Sequence, residues 1–298
     1  MPHPDSYEKN LCQIESRFSG ISEIISGIRK VANATRGFSL PEFPEPKTWL
    51  YQQGSEFTVT IDADLAAAWI AHMSHSTRLR MELLEDAVIR SIANSELLVS
   101  ATLTRAHMEA AAWAVYANEE LIKASDSGSW EKIEKLIPKM LYGSAVAFEK
   151  KDLPKDAVLA PLVEPSRIMH AIDALDRFFS SVTSEKGRSS RILYAILCEY
   201  AHPTIGGVRH LFETISESNE SWRIQYSRLE TLDAEDAQTI LEMLLRNMRL
   251  GHAAALLILL GTLEETATGL KYEKPSPEDA LGVWEHVMLG ASGESRQF

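Results

Sequence analysis

From Asp62 to Leu263, apolar residues recur at steps of three and four almost without a break. That rhythm constrains the fold more than any other feature of the chain. A period near 3.6 puts such positions on one helix face, and long helices are stable in water chiefly when those faces pack together. Asp62 or Asp64 is placed to cap a helix carrying Leu65, Trp69 and Met73. Ser76 or Thr77 then opens a longer stretch that reaches Ala124, with a break expected near Ser91 to Ser95. Ser125–Ser129 is a turn, shorter helices fit Trp130–Ile137 and Pro138–Glu149, and the segment from Lys150 to Pro165 reads as a loop. Pro165 suits the first turn of a helix running through Ile168, Ile172 and Leu175 to Phe179. After the polar run Ser180–Ser190, a helix from Arg191 stops at His202 because Pro203 cannot continue it. The last long helix begins near Asp233 and passes Leu260, with Leu241, Leu244, Leu245, Met248 and Leu256 on its apolar face.

The ends of the chain differ. Leu11, Ile14, Phe18, Ile21, Ile24, Ile25, Ile28 and Val31 keep helical spacing from Tyr7 to Arg36, which predicts an N-terminal helix. Pro41, Pro44 and Pro46 then impose an extended connector. Phe57–Ile61 is the one convincing β-type stretch, and a lone strand makes no sheet, so an extended segment is expected there. Pro275, Pro277 and Gly282 mark a looser tail with one short helix over Leu281–Leu289. The expected fold is all-α: a multi-helix bundle with long helices, an N-terminal helix and Pro-rich connector, and no sheet. Residues 1–55 form the N-terminal helix and connector, 56–272 the main bundle and 273–298 the tail.

Composition narrows the function classes. The chain of 298 residues is 45% hydrophobic and 24% charged, the balance of an ordinary globular protein. Its net charge of −12 should repel nucleic acid and anionic membrane over most of the surface. The greasiest run, Ala253–Leu263, is shorter than the roughly 18 to 20 apolar residues of a membrane span and leads into Glu264 and Glu265. Two cysteines, Cys12 and Cys198, make no disulfide framework or zinc knuckle, and no secretory signal opens the chain. A cytoplasmic protein is expected, with no membrane partner and no cofactor. Long apolar helices such as Asp233–Leu263 offer a face to a second copy, so self-association is an expectation too.

Two constellations carry chemistry. Leu98, Ala101, Arg105, Glu109, Ala112 and Tyr116 fall on one helical stripe, which puts Arg105 and Glu109 one turn apart where core residues should stand. An ion in such a position needs a partner, so the two either form a structural pair that fixes helix register or floor a polar pocket. Downstream, Tyr194–Gly207 reads YAILCEYAHPTIGG. His202 there lies at the carbonyl end of its helix, one turn after Glu199, and both favour the imidazolium. A capping histidine without further role fits the same facts. Facing helices would bring Arg105, Glu109, Tyr194, Glu199 and His202 into one ligand-binding cluster for a small polar or anionic group.

The run LTRAHMEAAAWAVY (Leu103–Tyr116) followed by LYAILCEYAHPTIGG resembles a broad group of uncharacterised, mostly bacterial all-helical proteins. Those carry R-x-x-x-E in an Ala-rich helix and a tyrosine-containing helix ending in S/C-x-x-x-H-P, matched here by Arg105, Glu109, Tyr194, Cys198, Glu199, His202 and Pro203. The group is similar in outline to HEPN-type helical domains, some of which are metal-independent ribonucleases. The resemblance implies a fold and raises that activity as an alternative. An R-x(4–6)-H motif would supply an arginine for phosphorane charge and a histidine for proton transfer. Arg246, Asn247 and His252 satisfy the pattern, although a surface arginine beside a satisfied core histidine is the plainer reading of these residues and is preferred.

A metal-binding helical bundle is the second alternative. Glu199 and His202 make an E-x-x-H half-site, but no second such motif exists, and di-iron bundles need two. His72 and His75 offer two imidazoles three residues apart, with Glu109 as a further candidate ligand. No phosphate-binding Gly-rich loop and no G-x-S-x-G elbow occurs, which leaves nucleotide and serine-hydrolase chemistry without their usual parts.

Overall fold

The structure, a computed structural model, describes residues 4–36, 50–53, 56–59, 63–127, 168–182, 189–201, 212–218, 221–226 and 234–270, together with Lys132 and Leu136. Among them are seven helices: α1 (Pro4–Arg17), α2 (Ser22–Arg36), α3 (Ala63–Ala93), α4 (Leu97–Asp126), α5 (Ile168–Val182), α6 (Ser189–Ala201) and α7 (Ala234–Leu270). The fold is an all-α bundle. Its centre is the trio α3, α4 and α7, with α1 against α3, α2 against α7, and the α5–α6 pair against α4.

The apolar rhythm is what packs. Leu11 and Ile14 of α1 and Ile25 and Ile28 of α2 are fully buried with Ile89 and Ile92 of α3, Ile172 of α5 and Leu244 and Leu245 of α7. Each such side chain contributes about 1.5–3 kcal/mol by leaving water. A smaller cluster (Met81, Ala110, Ala111, Ala114, Ala255 and Leu259) fills the other end of the α3–α4–α7 interior. Between these two apolar layers the same three helices carry polar residues, described below.

Several boundaries depart from the sequence reading. The stretch from Tyr7 to Arg36 is two helices, broken by a 3-10 turn at Ser19–Ile21. The break lets α1 lie on α3 while α2 turns onto α7, burying both apolar faces. Gly27 makes that second crossing close, since a Cβ there would sit 2.6 Å from Nη1 of Arg249. The start expected at Ser76 or Thr77 is absent, because α3 runs through it. The buried face Ala71, Ser74, Arg78, Met81 passes that point unbroken, so packing overrides the weak local capping preference. The break expected near Ser91–Ser95 is present. Ser95 adopts φ 61°, Glu96 N–H donates to Ser91 O at 2.9 Å and Ser95 N–H to Ile92 O at 2.9 Å, a Schellman ending. Arg17 of α1 closes it, donating to Ala93 O at 3.0 Å and Ser95 Oγ at 2.8 Å.

Phe57, in the segment expected to be merely extended, belongs to a hairpin: β1 (Leu50–Gln53) pairs antiparallel with β2 (Glu56–Val59). A second hairpin, β3 (Phe212–Ser218) with β4 (Ser221–Tyr226), went unforeseen in the sequence. Both are isolated two-stranded ladders in connections between helices, and the packed bundle itself is helical. The helices expected at Trp130–Ile137, Pro138–Glu149 and Leu281–Leu289, and the proline connector, lie outside the described residues.

α5 extends to Val182, past the expected end at Phe179, and α6 starts at Ser189. Asp176 joins them: its buried carboxylate accepts N–H bonds from Ser190 at 2.8 Å and Arg191 at 3.2 Å. A carboxylate at a helix N-terminus satisfies orphan donors and complements the dipole, so this one residue fixes how α6 is presented to α4. Among the described residues no helix is long and apolar enough to cross a membrane.

Candidate functional site

Two polar clusters lie on opposite faces of α4. The first joins α4 to α6. Arg105 Nε donates to Glu109 Oε1 at 3.0 Å, and its Nη2 donates to the Tyr194 hydroxyl at 3.3 Å. Tyr194 in turn donates to Glu109 Oε1 at 2.9 Å, closing a triangle. The guanidinium also stands 5.4 Å from the centre of the Tyr194 ring, a cation–π distance. Burial, partly offset by the Arg105 hydrogen bond, pushes the Tyr194 phenol up to about 12, so it remains a neutral donor. The anticipated stripe on α4 is therefore real, but it is the margin of the buried face and not its middle. The Arg105 and Glu109 side chains keep 25% and 29% of their surface in solvent.

Of the five residues expected in this cluster, the structure brings three together. Glu199 is exposed and lies about 140° round α6 from Tyr194, away from the triangle. His202 lies outside the described residues. Cys198, one turn after Tyr194, is half-buried against the main core and its thiol is free, as is that of Cys12.

The second cluster sits inside the α3–α4–α7 trio and was not recognised in the sequence as a site. Glu85 of α3, His107 of α4 and His252 of α7 are 4%, 1% and 1% exposed. Tyr7 of α1 donates its hydroxyl proton to Glu85 Oε1, and His252 Nδ1 bonds Glu85 Oε2. A carboxylate only accepts, so this contact assigns the proton to Nδ1 of His252. The two imidazoles face each other with ring centres 5.6 Å apart. The Nε2 atoms of both rings are buried and make no hydrogen bond, and the same holds for Oγ1 of Thr104, one turn before His107. A carboxylate oxygen of Glu85 and one nitrogen from each ring all lie within 4.8 Å of one another.

Electrostatics sets the protonation of this layer. Burial is the largest influence on Glu85 and opposes its charge. His252, through both charge and hydrogen bond, and the Tyr7 hydroxyl outweigh it and hold the carboxyl below its ordinary range. Burial, reinforced by the charge of His252, pushes His107 down to about 3, so its ring is neutral. The layer is an ionised carboxylate facing imidazole nitrogens.

The signal for these residues was present in the sequence. Glu85 lies between Met81 and Val88, His107 between Thr104 and Ala111, and His252 between Met248 and Ala255, each at core spacing. The criterion that selected Arg105 applies to all three. What periodicity lacks is the relative height of three separate helices, which alone puts the polar residues in one layer.

The other candidate residues fall apart in space. Arg246 and His252 point about 120° apart on α7, and Asn247 turns its amide back onto Met243 O at 2.7 Å. His252 is the core histidine of the second reading of that motif, and a phosphodiester reaches it only by parting packed helices. His72 is exposed and His75 half-buried on α3, where burial and then the charge of Arg78 lower the His75 pKa.

Compared with protein-family models, curated proteins and solved structures, the chain matches none.

Proposed function

We propose that the protein is a binding protein whose half-open Arg105–Glu109–Tyr194 cluster receives a small polar molecule. One observation carries the reading: of the two polar clusters on α4, this is the one a solute can reach while its charged groups are already held in place. The triangle engages Nε and Nη2 of Arg105 and Oε1 of Glu109, and leaves Arg105 Nη1 and Glu109 Oε2 out of its bonds. A guanidinium edge and a carboxylate oxygen side by side offer donor and acceptor together. A bare anion meets the repulsion of Glu109. A molecule with both a carboxylate and an amine or hydroxyl is matched on both counts. The two free thiols support a cytoplasmic setting for this reading.

The test is thermal unfolding of the full chain with glycine, acetate and inorganic phosphate as probes. The zwitterion is expected to raise the melting temperature more than either anion, with the increment lost in Arg105→Ala. If no probe moves the wild type, or if the increment survives in Arg105→Ala, the cluster is a structural pair and the reading fails.

A further inference from the structure

We propose that Glu85, His107 and His252 form a binding site for one divalent first-row transition-metal ion at the centre of the bundle. The proposal is independent of the ligand reading at Arg105, since the two clusters face opposite sides of α4.

A buried polar atom without a partner costs about 1–3 kcal/mol, and here the Nε2 of His107, deep in the core and close to the His252 ring, has none. The rings are not strays on separate faces. They come from α4 and α7, meet at 5.6 Å, and share their layer with the Glu85 carboxylate from α3. Histidine binds metal through a ring nitrogen that has given up its proton. At His252 the ion takes the place of the proton shared between Nδ1 and Glu85 Oε2, so that nitrogen and that oxygen become ligands together. His107 presents a buried Nε2 with no hydrogen-bond partner.

Dimensions fit as well. Donors sharing a tetrahedral ion at about 2.0–2.2 Å stand roughly 3.3–3.6 Å apart. The candidate ligand atoms all fall within 4.8 Å of one another, a gap that side-chain rotation closes. Imidazole nitrogen with a single carboxylate selects Zn²⁺, Co²⁺, Fe²⁺ or Ni²⁺ over Mg²⁺ and Ca²⁺, which require oxygen cages. Tyr7, bonded to the other oxygen of Glu85, orients the carboxylate and extends the device to α1. Such an ion ties together helices far apart in sequence, Glu85 and His252 being 167 positions apart.

The test uses the full chain, stripped with chelator and titrated with Co²⁺, followed by visible absorption and thermal unfolding. One Co²⁺ per chain is expected, with ligand-field bands and a rise in melting temperature. His107→Gln and His252→Gln should each weaken binding roughly 100-fold or more. A His72→Ala, His75→Ala double variant controls for surface chelation and should bind like wild type. Because core variants can fail to fold, ¹⁵N-histidine spectra of the wild type supply a second reading. Zn²⁺ should move the ring signals of two of the nine histidines, in the stoichiometric step of the titration. No Co²⁺ uptake by folded wild type overturns the site. So does binding that survives both glutamine variants, binding lost with His72 and His75, or a histidine count other than two.

Discussion

The two polar clusters draw on the same chemistry, and both use α4, yet their surroundings separate them completely. Arg105 and Glu109 point toward α6 at the edge of the bundle. His107, between them in sequence, points about 200° away into the α3–α4–α7 interior. In the outer triangle the charged groups remain wet, and water can replace any bond that is lost. In the inner layer nothing can replace a partner, so each hydrogen bond there is worth more and each orphaned atom costs more. The comparison teaches that the number of polar contacts says little about their weight. Desolvation decides it.

The comparison breaks most visibly at Glu85. Glu85→Ala strips Tyr7 and His252 of their shared acceptor, and urea unfolding should show a loss of about 3–5 kcal/mol. A loss no greater than that of an outer-cluster variant would erase the distinction.

Acid sharpens the contrast next. A histidine whose folded pKa lies below its unfolded one destabilises the fold as pH drops, because only the unfolded chain gains the proton. For His107 the window runs from the ordinary histidine value near 6.5 down to about 3. Glu85, held below its ordinary value, adds to this at the acid end: its stabilisation is complete above the normal carboxylate range and is lost as acid protonates it in the fold. Stability measured against pH should therefore fall below about pH 6.5 with a slope approaching 1.4 kcal/mol per unit from His107 alone. His107→Gln should flatten it, whereas Arg105→Ala should leave it unchanged.

Smaller effects follow in order. Tyr7→Phe removes a buried hydrogen bond to a charged acceptor and should lower stability by about 1.5–3 kcal/mol in denaturant titration. Tyr194→Phe removes a bond at the solvent-accessible triangle, and the same measurement should find about 1 kcal/mol or less. If these two tyrosines prove equal, burial is not what distinguishes the clusters.

Much of the outer cluster could be read from the chain. Arg105 and Glu109 are one turn apart on one helix, so their pairing is local geometry. Tyr194 was reached by assuming that two amphipathic helices face each other, and they do. Glu199 was placed with it because sequence proximity suggested company, but a helix rotates five residues nearly to its far side. The split between α1 and α2 escaped for a related reason. Its apolar spacing continues through Ser19 and Gly20, and only the presence of two different surfaces, on α3 and α7, gives the chain cause to turn there.

The sequence alone determined that this protein is a helical bundle, because an apolar period of 3.6 residues permits no other way to hide so much greasy surface. It determined the long helices, the turn before Leu97 and the local Arg105–Glu109 pair, all set by neighbours within a few residues. Tertiary structure decided the rest: which faces meet, and at what height. Glu85, His107 and His252 become one site only when α3, α4 and α7 slide into register, and that register is fixed by apolar layers above and below them, built from residues scattered along the whole chain.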